Sequence, residues 1–264
     1  METTILGGKG FVGSEYVRRF SPSFVNERND YGIYTPDVLY FISTVTNHNI
    51  FRDVHVDINT NLNVLTATLD NWRKRGEHGV FNFISSWFVY GYGTGFTEES
   101  ECHPEGFYSI TKRCAEQLLE CYCKTFNLKY RILRLANVIG PGDTKVSTEK
   151  NVLQYLINKM KKHETIQLVD GGMFYRDYIH VEDCVDAVHK VLSAGQVNTV
   201  YNIGNQRPML FRDAVYCAWL LTHSNSEIVE KEGTAHSFSM YADKLRELGY
   251  YPRYTGADLL KTLV

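Results

Sequence analysis

The chain opens with Thr3-Thr-Ile-Leu-Gly-Gly-Lys-Gly-Phe-Val-Gly-Ser14, a short apolar run that breaks into glycines and restarts at helical spacing through Tyr16, Val17 and Phe20. A strand that turns straight into a helix is the opening of a β-α-β unit, and such units build a parallel sheet with helices on its faces. Gly7, Gly10 and Gly13 have separate uses there: a tight turn, close approach of backbone to an anion, and close packing of helix on strand. The spacing is GxxGxxG and not GxGxxG, so the motif draws its weight from standing directly after a strand.

Strand and helix patterns alternate to about residue 140, as a doubly wound α/β sheet requires. The apolar run Val80 to Ile84 ends at Ser85-Ser86, placing both serines at a strand's carboxyl end, the edge where open sheets of this type bind ligands. In Gly106-Phe-Tyr-Ser-Ile-Thr-Lys112, Tyr108 and Lys112 stand four residues apart and share one helix face. A free phenol, with a pKa near ~10, is a poor base at neutral pH. An ammonium beside it favours the phenolate, so Lys112 is expected to lower the Tyr108 pKa.

With 264 residues, 44% of them hydrophobic, the chain can bury a large core. A net charge of −2 gives no electrostatic case for nucleic acid or for an anionic membrane. No apolar run approaches the ~20 residues that cross a bilayer, and no signal-like segment precedes the first strand. Six cysteines without CxxC spacing imply reduced thiols and a cytoplasmic protein. Nine histidines without HExxH or HxH spacing give no metal site. His180 is expected to be a packed or capping residue ahead of a helix.

In order, the glycine turn, the serine pair and the Tyr108/Lys112 pair resemble the extended short-chain dehydrogenase/reductase family of nucleotide-sugar epimerases, dehydratases and reductases. Further segments carry the resemblance across the chain. Asp37-Val-Leu-Tyr-Phe-Ile-Ser43 is similar to the family's fourth strand, and Tyr130 to Gly142 to the strand and loop after its catalytic helix. Arg176-Asp-Tyr-Ile-His-Val-Glu-Asp183 is similar to its RDxxHVxD segment. The resemblance implies a Rossmann-like sheet at 1–144 plus 178–205, and a smaller nucleotide-sugar lobe at 145–177 plus 206–264. It implies an NAD or NADP cofactor touched by Gly7, Gly10, Phe11, Val12, Gly13, Ser43 and Lys112. Ser86, Tyr108 and Lys112 would be catalytic. Asn137 and Arg176, with Ser86 and Tyr108, would contact a nucleotide-diphosphate sugar. A homodimer is implied through helices near Asn59 to Trp72 and Tyr108 to Phe126, where Ala115, Leu118, Leu119 and Tyr122 form an apolar stripe.

Three departures refine this expectation. The family's 4,6-dehydratases carry Asp and Glu directly after the Ser/Thr, whereas this chain carries Trp87 and Phe88, and on that ground the dehydratase activity is rejected. Arg28 falls where NAD-preferring members have an acidic residue and favours a 2'-phosphate, while Glu27 next to it suits a 2'-hydroxyl, so cofactor preference stays open. Asp30 leads almost at once into Pro36-Asp-Val-Leu, so the usual third strand and its helix are shortened or absent. The expected activity is nucleotide-sugar epimerisation, with an NADPH-dependent 4-keto reductase as the alternative and a non-catalytic dinucleotide-binding regulator as the reading from another class.

Overall fold

The computed structural model describes residues 2–264. Four strands come from the first third of the chain: β1 (Thr3–Leu6), β2 (Phe24–Val25), β3 (Asp37–Tyr40) and β4 (Val80–Ser86). With the strands Lys129–Leu135 and Thr199–Ile203 they form one six-stranded sheet, in the order Thr199–Ile203, Lys129–Leu135, β4, β3, β1, β2. Every pairing is parallel. Parallel strands are covered on both faces and so are buried along their length, here including the polar Thr3, Thr4 and Asn82 as well as the apolar residues. All of β1 is buried, as is β4 from Phe81 to Ser85. One face packs on Leu69, Trp72, Ala115 and Leu119, the other on Tyr16, Val185 and Val188. Each large apolar side chain buried in this way contributes about 1.5–3 kcal/mol.

The shortened middle is visible in the topology. From β2 the chain runs through residues 26–36 and enters β3 on the far side of β1, so among the described residues β2 is the sheet's edge. Side chains replace the missing strand pairing. Buried Asn26 donates from Nδ2 to the carbonyls of Asp30 (3.1 Å) and Gly32 (2.8 Å), and Thr4 Oγ1 accepts from the amides of Tyr34 (3.0 Å) and Thr35 (2.9 Å).

A second core, built on Leu153, Ile157, Phe174, Phe211 and Leu259, gathers the helices Val152–Met160, Phe211–Leu221 and Gly256–Lys261 around the paired strands Ile166–Val169 and Ile228–Lys231. His180 caps the helix Val181–Ala194 by accepting from Glu182 N at 3.3 Å. Fully buried Asp183 accepts from the backbone amides of Arg253 and Tyr254 (both 2.9 Å) and from Arg253 Nε (3.0 Å), which ties the C-terminal segment to that helix.

The helix Phe107–Thr125 lies against β4 and the Lys129–Leu135 strand. Ala115 and Leu119 face the core completely, whereas Leu118 is 41% exposed, so the stripe expected over 115–122 divides between the chain's own core and its surface. Glu116 on this helix is fully buried and accepts from Arg134 Nε (3.0 Å) and Nη2 (2.8 Å) and from Arg113 Nη1 (2.8 Å). These guanidinium groups hold its carboxyl below the usual range against the opposing effect of burial. Removing one member of such a pair leaves an uncompensated buried charge. Arg134→Met is therefore expected to cost about 3–5 kcal/mol in urea unfolding, and the double change Glu116→Met with Arg134→Met to recover most of it. Equal losses in the single and double variants would show that the pair is not coupled.

Candidate functional site

The carboxyl ends of β1, β3 and β4 open onto one cavity of about 490 Å³. The sheet order reverses between β1 and β3, and a crevice forms at such a switch point because the crossovers leave it in opposite directions. Its floor is the glycine turn. Gly7 has φ +80°, and a Cβ there would lie 2.9 Å from Ile42 N. A Cβ on Gly13 would lie 2.4 Å from Gly7 O, so only glycine lets the helix α1 (Phe11–Phe20) sit this close to the turn. At Gly10 the nearest atom to a Cβ is Gly7 O at 3.4 Å, and the chain leaves the space above it clear. No side chain caps α1 at this end, and its first intrahelical bond runs from Ser14 N to Gly10 O. Gly10 N donates to Gly7 O at 3.1 Å, and the amides of Phe11, Val12 and Gly13 are left for an anion. Gly13→Ala is thus expected to lower stability by about 2 kcal/mol or more, whereas Gly10→Ala leaves the unfolding midpoint nearly unchanged and weakens dinucleotide binding; thermal melts beside a binding titration separate the two.

Ser86 ends β4 and caps the short 3₁₀ turn Trp87–Tyr90 by accepting from Phe88 N at 3.3 Å. Tyr108 and Lys112 enter the same cavity from the long helix. Burial raises the Tyr108 pKa, and the hydroxyls of Ser86 and Ser43 pull it back down. Phe88 meets the phenol ring edge-on at a centroid distance of 5.8 Å. Lys112 is 1% exposed; its Nζ donates to Ile84 O at 2.8 Å and lies 4.1 Å from the centroid of the Phe83 ring. Burial lowers its pKa to about 7, with Glu116 one turn away opposing the shift. Lys112 is not among the groups that move the phenol, contrary to the sequence expectation: its Nζ is directed at Ile84 O and Phe83, and with a pKa of about 7 it is only partly charged at neutrality.

The depressed pKa has a definite sign for stability. Below pH about 7 the lysine is charged in both states and the folded protein carries the full desolvation cost. Between about 7 and the ordinary value of 10.5 the unfolded chain binds the extra proton, so this contribution makes stability rise with pH. Lys112→Met is expected to be more stable than the parent at pH 6 by about 1–4 kcal/mol, with the gap closing towards pH 10 in denaturant titrations.

Behind these groups lies a polar network that the sequence did not reveal. Buried Asn61 accepts from Thr44 N (3.0 Å) and Ser43 Oγ (3.3 Å) and donates to Thr44 Oγ1 (2.8 Å) and Thr111 Oγ1 (3.0 Å). It joins the loop after β3 to the long helix. Asn137 also lines the cavity, where its backbone and side-chain amides both donate to Asp177 O at 3.2 Å. Arg176 is not among the lining residues; its guanidinium stands 5.9 Å from the centroid of the Trp87 ring and 4.7 Å from that of Phe174, and donates to Tyr175 O (3.0 Å) and to His236 O. It does not pair with Asp177, which is fully buried and accepts from the amides of Asn205 and Gln206. Arg28 is exposed and is not among the residues that line the cavity, whereas Glu27 beside it pairs with Lys9 of the glycine turn. Lys9, Lys145 and Lys150 also line the cavity, and none was picked out from the sequence. Among the described residues no group of three or more His, Cys, Asp or Glu could hold a metal, and no helix is long and apolar enough to cross a membrane.

The profile of the NAD dependent epimerase/dehydratase family matches residues 35–204. The chain belongs to this family. The low-salt glycan biosynthesis protein Agl12 of Haloferax volcanii is 26% identical over 312 residues, covering 100% of this chain and 97% of that protein. The dTDP-D-glucose 4,6-dehydratase of Dictyostelium discoideum is 25% identical over 256 residues, covering 76% of this chain and 57% of its own length. In structure, the UDP-glucose 4-epimerase of Thermotoga maritima superposes with a TM-score of 0.89 at 24% identity, covering 100% of this chain and 97% of the other.

These relatives overturn one expectation. The dehydratase activity was rejected because Trp87 and Phe88 replace two carboxylic acids, yet 4,6-dehydratases stand among the similar proteins. The two aromatic side chains decide less than was inferred, because acid and base groups need only reach the substrate and can come from any wall. This cavity carries other ionisable groups in Tyr108, Lys112, Asp143, Lys145 and Lys150.

Proposed function

We propose that the protein is a nucleotide-sugar epimerase that works by transient hydride transfer to a bound nicotinamide dinucleotide. The carrying observation is the convergence of Ser86, Tyr108 and Lys112 on the cavity floored by the glycine turn. The free amides at the start of α1 and the clear space above Gly10 suit a pyrophosphate, with Phe11, Val12 and Ser43 around it. When bound, the nicotinamide supplies a reversible hydride acceptor.

The residues of the chain supply the rest. Tyr108, as the phenolate that the hydroxyls of Ser86 and Ser43 favour, takes the proton of the hydroxyl at the reacting carbon and returns it, and Ser86 Oγ hydrogen-bonds the same oxygen. Lys112, already anchored on Ile84 O, has N–H groups left for the ribose. Inversion through a keto intermediate uses a single acid/base group twice, which matches one phenol with one hydroxyl partner. The dinucleotide is assigned to residues 1–144 plus 178–205 and the nucleotide sugar to 145–177 plus 206–264. Asn137 and Arg176 are proposed sugar-nucleotide contacts; burial lowers the Arg176 pKa, and a diphosphate would relieve that cost. Exposed Ile110 and Leu118 on the long helix support a homodimer built on that face.

The test begins with denaturing the purified protein and identifying any released dinucleotide by mass spectrometry, followed by incubation with UDP-glucose or dTDP-glucose and product analysis by NMR. The expected result is retained NAD and a mixture of carbon-4 epimers. Loss of water to a 4-keto-6-deoxy sugar would move the assignment to the dehydratases, and stoichiometric consumption of NADPH on a keto sugar to the reductases. Tyr108→Phe is expected to lower kcat by about 10²–10⁴-fold while the dinucleotide stays bound.

A further inference from the structure

The segment 141–151 runs along the mouth of the cavity beside the start of α1 and is held in shape by Asp143. That carboxylate is buried and accepts from Lys150 Nζ (2.6 Å), from Lys145 N (3.2 Å) and from Asn151 Nδ2. Ser147 and Lys150 exchange backbone hydrogen bonds at 2.8 and 3.3 Å. Glu149 pairs with Arg52 at 3.4 Å, tying this strap to the loop that follows β3. The strap sets the Lys150 ammonium 5.7 Å from the centroid of the Phe11 ring, and both residues line the cavity. Phe11 is the first residue of α1, whose amides have no side-chain cap. At the opposite end the sheet stops at the two-residue β2, so little chain is available to grip an adenine.

We propose that Lys150 is a second clamp on a diphosphate seated at the start of α1, so that the strap 141–151 retains the dinucleotide from above where the trimmed sheet edge cannot. The inference rests on the reading that this cavity binds a dinucleotide. An ammonium has three donors; one stays on Asp143 and another turns to a phosphate oxygen. A nucleotide sugar also carries a diphosphate, but Lys150 stands 5.7 Å from the ring of Phe11, the first residue of the uncapped helix α1, which assigns the clamp to the dinucleotide.

Binding of NADH, ADP-ribose, adenosine and UDP-glucose is measured on the wild type, Lys150→Met, Lys150→Arg and Glu149→Gln, with NADH dissociation followed by stopped-flow fluorescence. Lys150→Met is expected to weaken NADH and ADP-ribose about tenfold, mainly through faster dissociation, and Lys150→Arg to restore most of the loss. Adenosine, which lacks the diphosphate, and UDP-glucose are expected to bind within about twofold of wild type. Glu149→Gln keeps the lysine and frees the strap, and is expected to speed NADH release about threefold; this arm stands even where Lys150→Met does not fold. Unchanged NADH binding in Lys150→Met, a loss confined to UDP-glucose, or an unchanged NADH off-rate in Glu149→Gln overturns the clamp. A wild type that binds neither NADH nor ADP-ribose removes the dinucleotide reading itself, and the clamp with it.

Discussion

The contact between Gly13 and the carbonyl of Gly7 sets how closely α1 approaches the sheet, and the cavity depends on it. With a Cβ-to-oxygen distance of 2.4 Å for any other residue, the helix would have to lift and its free amides would no longer face the crevice beyond β1. Seated where it is, α1 puts the partial positive charge of its first turn at the point where the sheet order reverses. The loop after β3 and the end of β4 converge there because parallel neighbours carry their carboxyl ends to the same edge.

Two buried charges under this cavity are treated in opposite ways. Glu116 is surrounded by guanidinium groups, stays ionised and joins the long helix to the Lys129–Leu135 strand. Lys112, one turn earlier, has a carbonyl and an aromatic face but no carboxylate in contact, and its pKa falls to about 7. The first arrangement holds the fold together; the second keeps an ammonium dry and only partly charged, ready for a polar ligand that brings its own hydrogen-bonding groups. A buried lysine that costs stability yet lines a cavity is characteristic of a functional group and not of packing.

The aromatic pair Trp87–Phe88 shows how far a local substitution can be taken. Read against family members with acids at these positions, the pair argued for excluding one reaction, and the relatives do not support that exclusion. The rings stack on each other at 4.0 Å and Trp87 meets Phe238, tilted, at the same distance, so both pack into the core of the main sheet at the end of β4. Their packing role is evident from position, whereas the reaction depends on groups from several walls at once.

From the sequence alone, the β-α-β opening, the strand ending at Ser86, the Tyr108/Lys112 spacing, the capping role of His180 and the trimmed third strand could all be read. Each of these is a local signal: glycine after a strand, an apolar run, a four-residue helical repeat, a residue just ahead of a helix, a missing segment. What tertiary structure decided is non-local. Asn61 bridging Thr44 to Thr111, Glu116 meeting Arg134, Asp143 shaping a strap beside Phe11, and Arg176 meeting the Trp87 ring join residues whose types carry no signal at their own positions. The Tyr108 pKa belongs with them, since burial and two serine hydroxyls from different strand ends set it and the lysine four residues along does not. Periodicity records which face of an element is buried, but the partner that a buried polar group meets depends on chain packing across tens of residues, and only the folded arrangement contains it.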